Sequence, residues 1–95
     1  MHADGSGFME PMEEWDGLGV VVRRDGPTGS WMFVALHDDT LGRPTGGCRM
    51  RVYERPSEGL RDALRLAEGM TLKWATLDLP FGGGKAVLAV PRALE

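Results

Sequence analysis

The chain has 95 residues and a formal net charge of −3, with 42% hydrophobic, 26% charged and 7% aromatic residues. That composition excludes wholesale disorder, and the length leaves room for one small core. No apolar run nears the roughly 18 residues of a membrane span, the start lacks the basic-then-apolar order of a secretion signal, and the single cysteine, Cys48, builds neither a disulfide framework nor a thiolate zinc site. A reduced, cytoplasmic setting is the expectation.

Residues 1–14 carry Asp4, Glu10, Glu13 and Glu14 without Lys or Arg, a charge of −4 that leaves the remainder at +1. A neutral body behind an acidic lead-in argues against a nucleic-acid or membrane surface. These residues show no periodicity and read as a poorly ordered acidic arm. The run Leu18–Arg23 reads as a strand, Asp25–Gly29 as a turn and Trp31–Leu36 as a second strand, together a hairpin. Both runs are apolar on consecutive residues, which predicts burial on both faces. His37–Gly47 is a loop rich in Asp, Gly, Thr and Pro. Cys48–Tyr53 then alternates apolar and polar residues, the mark of a half-exposed strand.

Pro56-Ser57-Glu58 opens a helix expected over about 57–76, with Ser57 as N-cap. Its apolar stripe is Leu60, Ala63, Leu64, Ala67, Met70 (or Thr71) and Trp74. A second row, Leu66, Met70, Lys73 and Leu77, predicts a helix sandwiched between layers. Leu79–Gly84 reads as a rigid turn followed by a flexible one, and Ala86–Val90 as a buried strand ended by Pro91. The order β-β-β-α-β predicts an α/β fold, a mixed β-sheet with one long crossover helix.

The glycines before Lys85 do not make a nucleotide loop. A phosphate loop needs a glycine where Leu79 stands and Ser or Thr where Ala86 stands, and it feeds a helix rather than a strand. The dinucleotide fingerprint fails as well, because Val87 occupies its third glycine. Three consecutive glycines then mean either a floppy turn or a backbone closely approached by a ligand or another segment. Gly46-Gly47 reads similarly, as a turn or as one bare wall of a small-molecule pocket.

Lysine is scarce: Lys73 and Lys85 are the only two, against nine arginines. An apolar setting and a neighbouring cation favour the neutral amine in general, so one lysine of a pair can serve as base while the other binds a carboxylate. Arginine cannot be that base, since it keeps its proton. The plainer alternative is that both amines snorkel to water. His37 with Asp38 and Asp39 has little support as a metal cluster, and turn chemistry explains that stretch more simply. No metal ligand set is expected, and Cys48 reads as a small core residue rather than a nucleophile.

Four segments in order and spacing nevertheless form a pattern: His37-Asp38-Asp39-Thr40-Leu41-Gly42, Gly46-Gly47-Cys48-Arg49-Met50, Asp62 to Lys73, and Gly82-Gly83-Gly84-Lys85-Ala86-Val87. Together they resemble the N-terminal substrate-binding and dimerisation domain of the Glu/Leu/Phe/Val amino-acid dehydrogenases, closest to the leucine/phenylalanine/valine branch. The resemblance covers roughly Val20 to Pro91. It implies that residues 15–95 are part of the substrate-binding half of a two-domain enzyme, with no dinucleotide-binding domain present. It also implies NAD(P)-dependent oxidative deamination of an apolar L-amino acid to a 2-oxo acid and ammonia. By the same resemblance Lys73 holds the substrate carboxylate, Lys85 activates the water that attacks the imine, and Gly46, Gly47 and Met70 line the pocket.

Two departures stand out. Thr45 occupies the position where glutamate-specific members usually carry lysine and branched-chain members an apolar residue, which disfavours glutamate and leaves the substrate open. Trp74 stands where the family generally has asparagine. The family's catalytic aspartate lies beyond the equivalent of Glu95, so this chain alone is expected to bind no NAD or NADP and to be inactive. The expected partners are an amino acid or 2-oxo acid, further copies of the chain and a separate cofactor-binding chain. The alternative is a non-catalytic module, derived from the same domain, that binds an amino acid or supports oligomerisation.

Overall fold

A computed structural model describes residues 7–91. Along the chain run α1 (Met9–Glu14), β1 (Gly19–Asp25), β2 (Ser30–Leu36), the two-residue β3 (Pro44–Thr45), β4 (Cys48–Val52), α2 (Pro56–Thr76) and β5 (Gly82–Val90). β1 and β2 form the expected antiparallel hairpin, with Val22 opposite Phe33. β2 pairs antiparallel with β5, and β3 and β4 follow one another in parallel along the other edge of β5. The sheet is therefore mixed, and α2 is the crossover that a parallel β4–β5 pair requires.

The helix begins one residue earlier than Ser57. Pro56 takes the first helical position, where its fixed φ suits the helix and its missing N–H loses nothing, and Arg55 is the N-cap without a side-chain hydrogen bond. Ser57 thus lies inside the first turn. The main stripe is as read: Leu60, Ala63, Leu64 and Ala67 are buried against Trp31, Phe33 and Ala35 of β2 and Val87 and Ala89 of β5.

Phe8 sets its ring edge-on to Trp31 and Phe33, with centroids 5.3 and 5.5 Å away. That aromatic anchor leads into α1 and gives residues 9–14 a defined place, where the sequence suggested an unordered arm. The first six residues of that arm lie outside the described residues.

Burial on two faces does not occur. β2 alternates between buried and open positions, and Val21, Met32, Met50 and Val52 all stand exposed. Cys48, expected in the core, is exposed as well, because it shares the open face of β4 with Met50 and Val52. One helix covers one face of the sheet, and among the described residues no element covers the other. The second helical row is covered only in its first half: Leu66 packs against the core and Met70 is half-buried, whereas Lys73 is exposed and Leu77 55% exposed.

In its first half the helix meets the sheet closely at Gly59, where a Cβ would stand 2.9 Å from Ala89 Cβ and 3.1 Å from the Phe33 ring. A polar tie completes the contact. Asp62, on the sheet-facing side of α2, accepts hydrogen bonds from Tyr53 Oη (2.6 Å), Arg65 (2.8 Å) and Arg49 (3.3 Å). Burial pushes the Asp62 carboxyl up, but the Tyr53 and Arg65 bonds and the nearby guanidinium charges outweigh it, and its pKa lies below the ordinary carboxylate value. Burial, and then the bond to Asp62 and its charge, push Tyr53 up to about 12.

Two predictions follow from these contacts. Gly59→Ala is expected to cost about 1–3 kcal/mol by overpacking. Gly69→Ala on the same helix, with open space around its Cβ, is expected to add up to about 1 kcal/mol; the two urea midpoints should move in opposite directions. Titration gives the second. The depressed Asp62 stabilises above the ordinary carboxylate range and is lost on acidification, whereas the raised Tyr53 stabilises below pH about 10 and is lost as pH climbs toward 12. Tyr53→Phe should cost about 1–2 kcal/mol at neutral pH, flatten the alkaline limb and move the acid limb upward, as read by denaturation at stepped pH.

Candidate functional site

The second half of α2 carries Met70, Lys73 and Trp74, and its end is firmly closed. Leu77 N–H donates to Lys73 O (3.0 Å), Asp78 N–H to Ala75 O (3.1 Å) and Leu79 N–H to Trp74 O (2.9 Å). The reversal needs a left-handed residue, and Asp78 supplies it with φ 57°. The chain then turns through Pro80 and Phe81 into the glycine run.

That run is strand from its first residue, not a flexible turn. Gly82, Gly83 and Gly84 are all buried in β5, and other protein backbone lies where side chains would start. A Cβ on Gly82 would overlap the Asp38 carbonyl, and one on Gly83 would overlap Thr71 Oγ1 and the Ala67 carbonyl of α2. One on Gly84 would crowd Pro44 at 3.2–3.3 Å. Of the two readings of these glycines, close approach by neighbouring segments is the one the structure takes. No phosphate or dinucleotide cradle is left there, because the protein itself fills it.

Gly46 and Gly47 form the break between β3 and β4. A Cβ on Gly46 would overlap the Gly84 carbonyl and come within 3.3 Å of Met70 Cγ, and one on Gly47 would lie 3.3 Å from Lys85 Nζ. Lys85 pairs across β5–β2 with Ala35, so pleat parity puts it on the helix-covered face with Val87 and Ala89, and it is half-buried. Met70, Gly46, Gly47 and Lys85 therefore converge. Lys73 stands one turn beyond Met70 on α2, its Nζ 5.6 Å from the Trp74 ring centroid.

His37 was weighed from sequence only as a metal ligand, and its contacts were not foreseen. His37 ties three segments together: its N–H donates to Gly83 O (2.8 Å), Nδ1 meets Thr71 Oγ1 (2.8 Å) and Nε2 meets Asp16 (2.9 Å). Asp16, His37 and Glu68 bring donor atoms within 4.8 Å of one another, a trio different from the His37-Asp38-Asp39 stretch weighed above. Asp38 instead closes a turn by accepting from Thr40 N–H (2.8 Å), a bond that holds its carboxyl below the usual value. The partners of His37 lie 21 and 34 residues away, so no local signal could have found them.

The family model of the Glu/Leu/Phe/Val dehydrogenase dimerisation domain matches residues 21–93. The chain belongs to this family. A phenylalanine dehydrogenase from Bacillus thermotolerans is 51% identical over 69 residues, 73% of this chain and 18% of that protein. A leucine dehydrogenase from Geobacillus stearothermophilus is 47% identical over 77 residues, 81% of this chain and 21% of that protein. The crystal structure of L-tryptophan dehydrogenase from Nostoc punctiforme superposes with a TM-score of 0.76 at 37% identity, over 85% of this chain and 24% of that one. The chain thus spans about a fifth of the length of the relatives it matches, and its mixed sheet with one long helix is shared with that two-domain dehydrogenase structure over the matched part.

Gly83→Ala should cost about 3 kcal/mol, because the new methyl drives α2 off β5 and its neighbours are backbone that cannot swing aside. Chemical denaturation checks the loss, and shifted His37 ring signals in NMR would mark the opening of its bond to Thr71.

Proposed function

We propose that the chain is the substrate-binding portion of an NAD(P)-dependent L-amino-acid dehydrogenase, one that converts an apolar L-amino acid to a 2-oxo acid and ammonia. The observation that carries this reading is the convergence of Gly46, Gly47, Met70 and Lys85 in a chain whose relatives are phenylalanine, leucine and tryptophan dehydrogenases. The Lys73 ammonium holds the substrate carboxylate by charge and hydrogen bonding. Lys85, reaching past bare Gly47 backbone, gives and takes protons at the amino-acid nitrogen and at the attacking water. Gly46 and Met70 form the wall against the substrate.

Selectivity for an apolar side chain rests on Thr45. Its hydroxyl is spent within its own loop, donating to Arg43 O at 2.8 Å, and it brings no charge to meet a second carboxylate. The hydride goes to NAD or NADP in the complete enzyme. The described residues do not fit that nucleotide, since the glycine run is filled by its neighbours, and its binding falls to other parts of the enzyme. Self-association is part of the reading: the open sheet face with Val21, Met32, Met50 and Val52 is apolar enough to favour a homo-oligomer. Among the described residues no helix is long and apolar enough to cross a membrane, and the reading places the enzyme in cytoplasmic amino-acid metabolism.

Calorimetric titration of the chain with L-phenylalanine, L-leucine and L-glutamate tests the assignment. Phenylalanine or leucine should bind at least about tenfold more tightly than glutamate, and Lys73→Ala should lose at least about tenfold, which is about 1.4 kcal/mol. Lys85→Ala should keep most of the binding, because its role is proton transfer. Equal binding by wild type and Lys73→Ala would sink the assignment of Lys73.

A further inference from the structure

One side chain reaches all three segments that build the site. Trp74 follows Lys73 on α2, and its Nε1–H donates to Thr45 O at 2.8 Å. Its ring carries the Lys73 ammonium 5.6 Å from the centroid, and it meets Phe81 edge-on at 5.5 Å with 70° between the planes. Thr45 immediately precedes Gly46, and Phe81 immediately precedes Gly82. The indole therefore bridges the glycine pair, the lysine and the entry to the glycine run.

The bond to Thr45 has a particular consequence. The Thr45 carbonyl belongs to the peptide that enters Gly46, so holding it fixes that peptide plane. Gly46 and Gly47 have no side chains with which to hold themselves; Ala86 N–H holds Gly47 O at 3.1 Å and Thr45 pairs with Gly83, and the Trp74 bond adds a tie just before Gly46. Trp74 is half-buried and has water within reach as an alternative partner, yet it bonds Thr45. Among the described residues the indole N–H groups of Trp15 and Trp31 are fully buried and have no partner. The ring adds a second restraint, because a cation over an indole face is attracted to it and loses reach.

We propose that Trp74 is a positioning residue for the substrate carboxylate: it fixes the Lys73 ammonium and the Gly46 peptide relative to each other, so that an acid bound at one is presented to the other. This rests on the reading of Lys73 as the carboxylate ligand. The indole acts through its neighbours and needs no contact with the substrate itself.

Trp74→Phe keeps a ring for Lys73 and Phe81 but removes the N–H; Trp74→Leu removes both. In the full chain, amide hydrogen exchange at Gly46 and Gly47 should quicken by about tenfold in Trp74→Phe, with the melting midpoint little changed, and L-phenylalanine should bind about three- to tenfold more weakly by calorimetry. Trp74→Leu should weaken binding further, toward the level of Lys73→Ala. If Trp74→Phe folds but leaves both glycine exchange and affinity at wild-type values, Trp74 does not position the site, and the assignment of Lys73 stands. If wild type binds no phenylalanine at all, both fall. Should the variants fail to fold, the wild type still decides: the Lys73 ε-methylene protons must show an upfield ring-current shift, and their resonance at the position of a free lysine overturns the proposal.

Discussion

The arrangement depends on one steric constraint: β5 must pass beneath α2 and beside the 38–44 loop with no side chain in the way. At Gly82, Gly83 and Gly84 the space a Cβ would need is held by carbonyls of Asp38 and Ala67, the Thr71 hydroxyl and Pro44. Bare backbone there lets the strand, the helix and the loop share one small volume. His37 uses the same proximity, bonding Gly83 O through its N–H and Thr71 through its ring. The half-buried Lys85 is then delivered to the first position of β5 that can carry a long side chain, next to Gly47.

Below that point the helix is held by different means. Apolar packing of Leu60, Ala63, Leu64 and Ala67 against Phe33 and Val87 supplies the non-directional part of the contact. Asp62 supplies direction, since Tyr53 and Arg49 reach it from β4 and the residue just after that strand. A sheet that slid by one residue would turn Arg49 and Arg51 to the open face and leave Asp62 without them. Packing, polar tie and glycine approach act on the same helix at successive turns, so the end bearing Met70, Lys73 and Trp74 is positioned by everything before it.

The open face of the sheet makes the other half of the picture. β1 is apolar at Val20–Val22 and β2 from Trp31 to Leu36, yet only alternate residues of β2 are covered by α2. The uncovered residues, with Met50 and Val52 of β4, form an open apolar surface. Lys85 and the residues around it lie on the opposite, helix-covered face, so the open surface and the convergence of Lys85 with Gly47 do not compete for space.

The sequence alone determined the order of the principal elements, the buried stripe of α2 and, through four spaced segments, the family. Those signals are local or periodic, and periodicity survives any tertiary arrangement. Lys73 and Lys85 stood out by their scarcity and their neighbours, but nothing in the sequence told that Lys73 is exposed while Lys85 is half-buried beside Gly47. Only the tertiary structure decided which faces were covered, because consecutive apolar residues look alike whether the second face meets protein or not. It decided too that the glycine run is strand rather than turn, since the carbonyls and hydroxyl that crowd it come from residues distant in sequence. The roles of His37, Asp62 and Trp74 were out of reach for the same reason: each is defined by hydrogen-bond partners that folding brings together, the Trp74 bond spanning 29 residues.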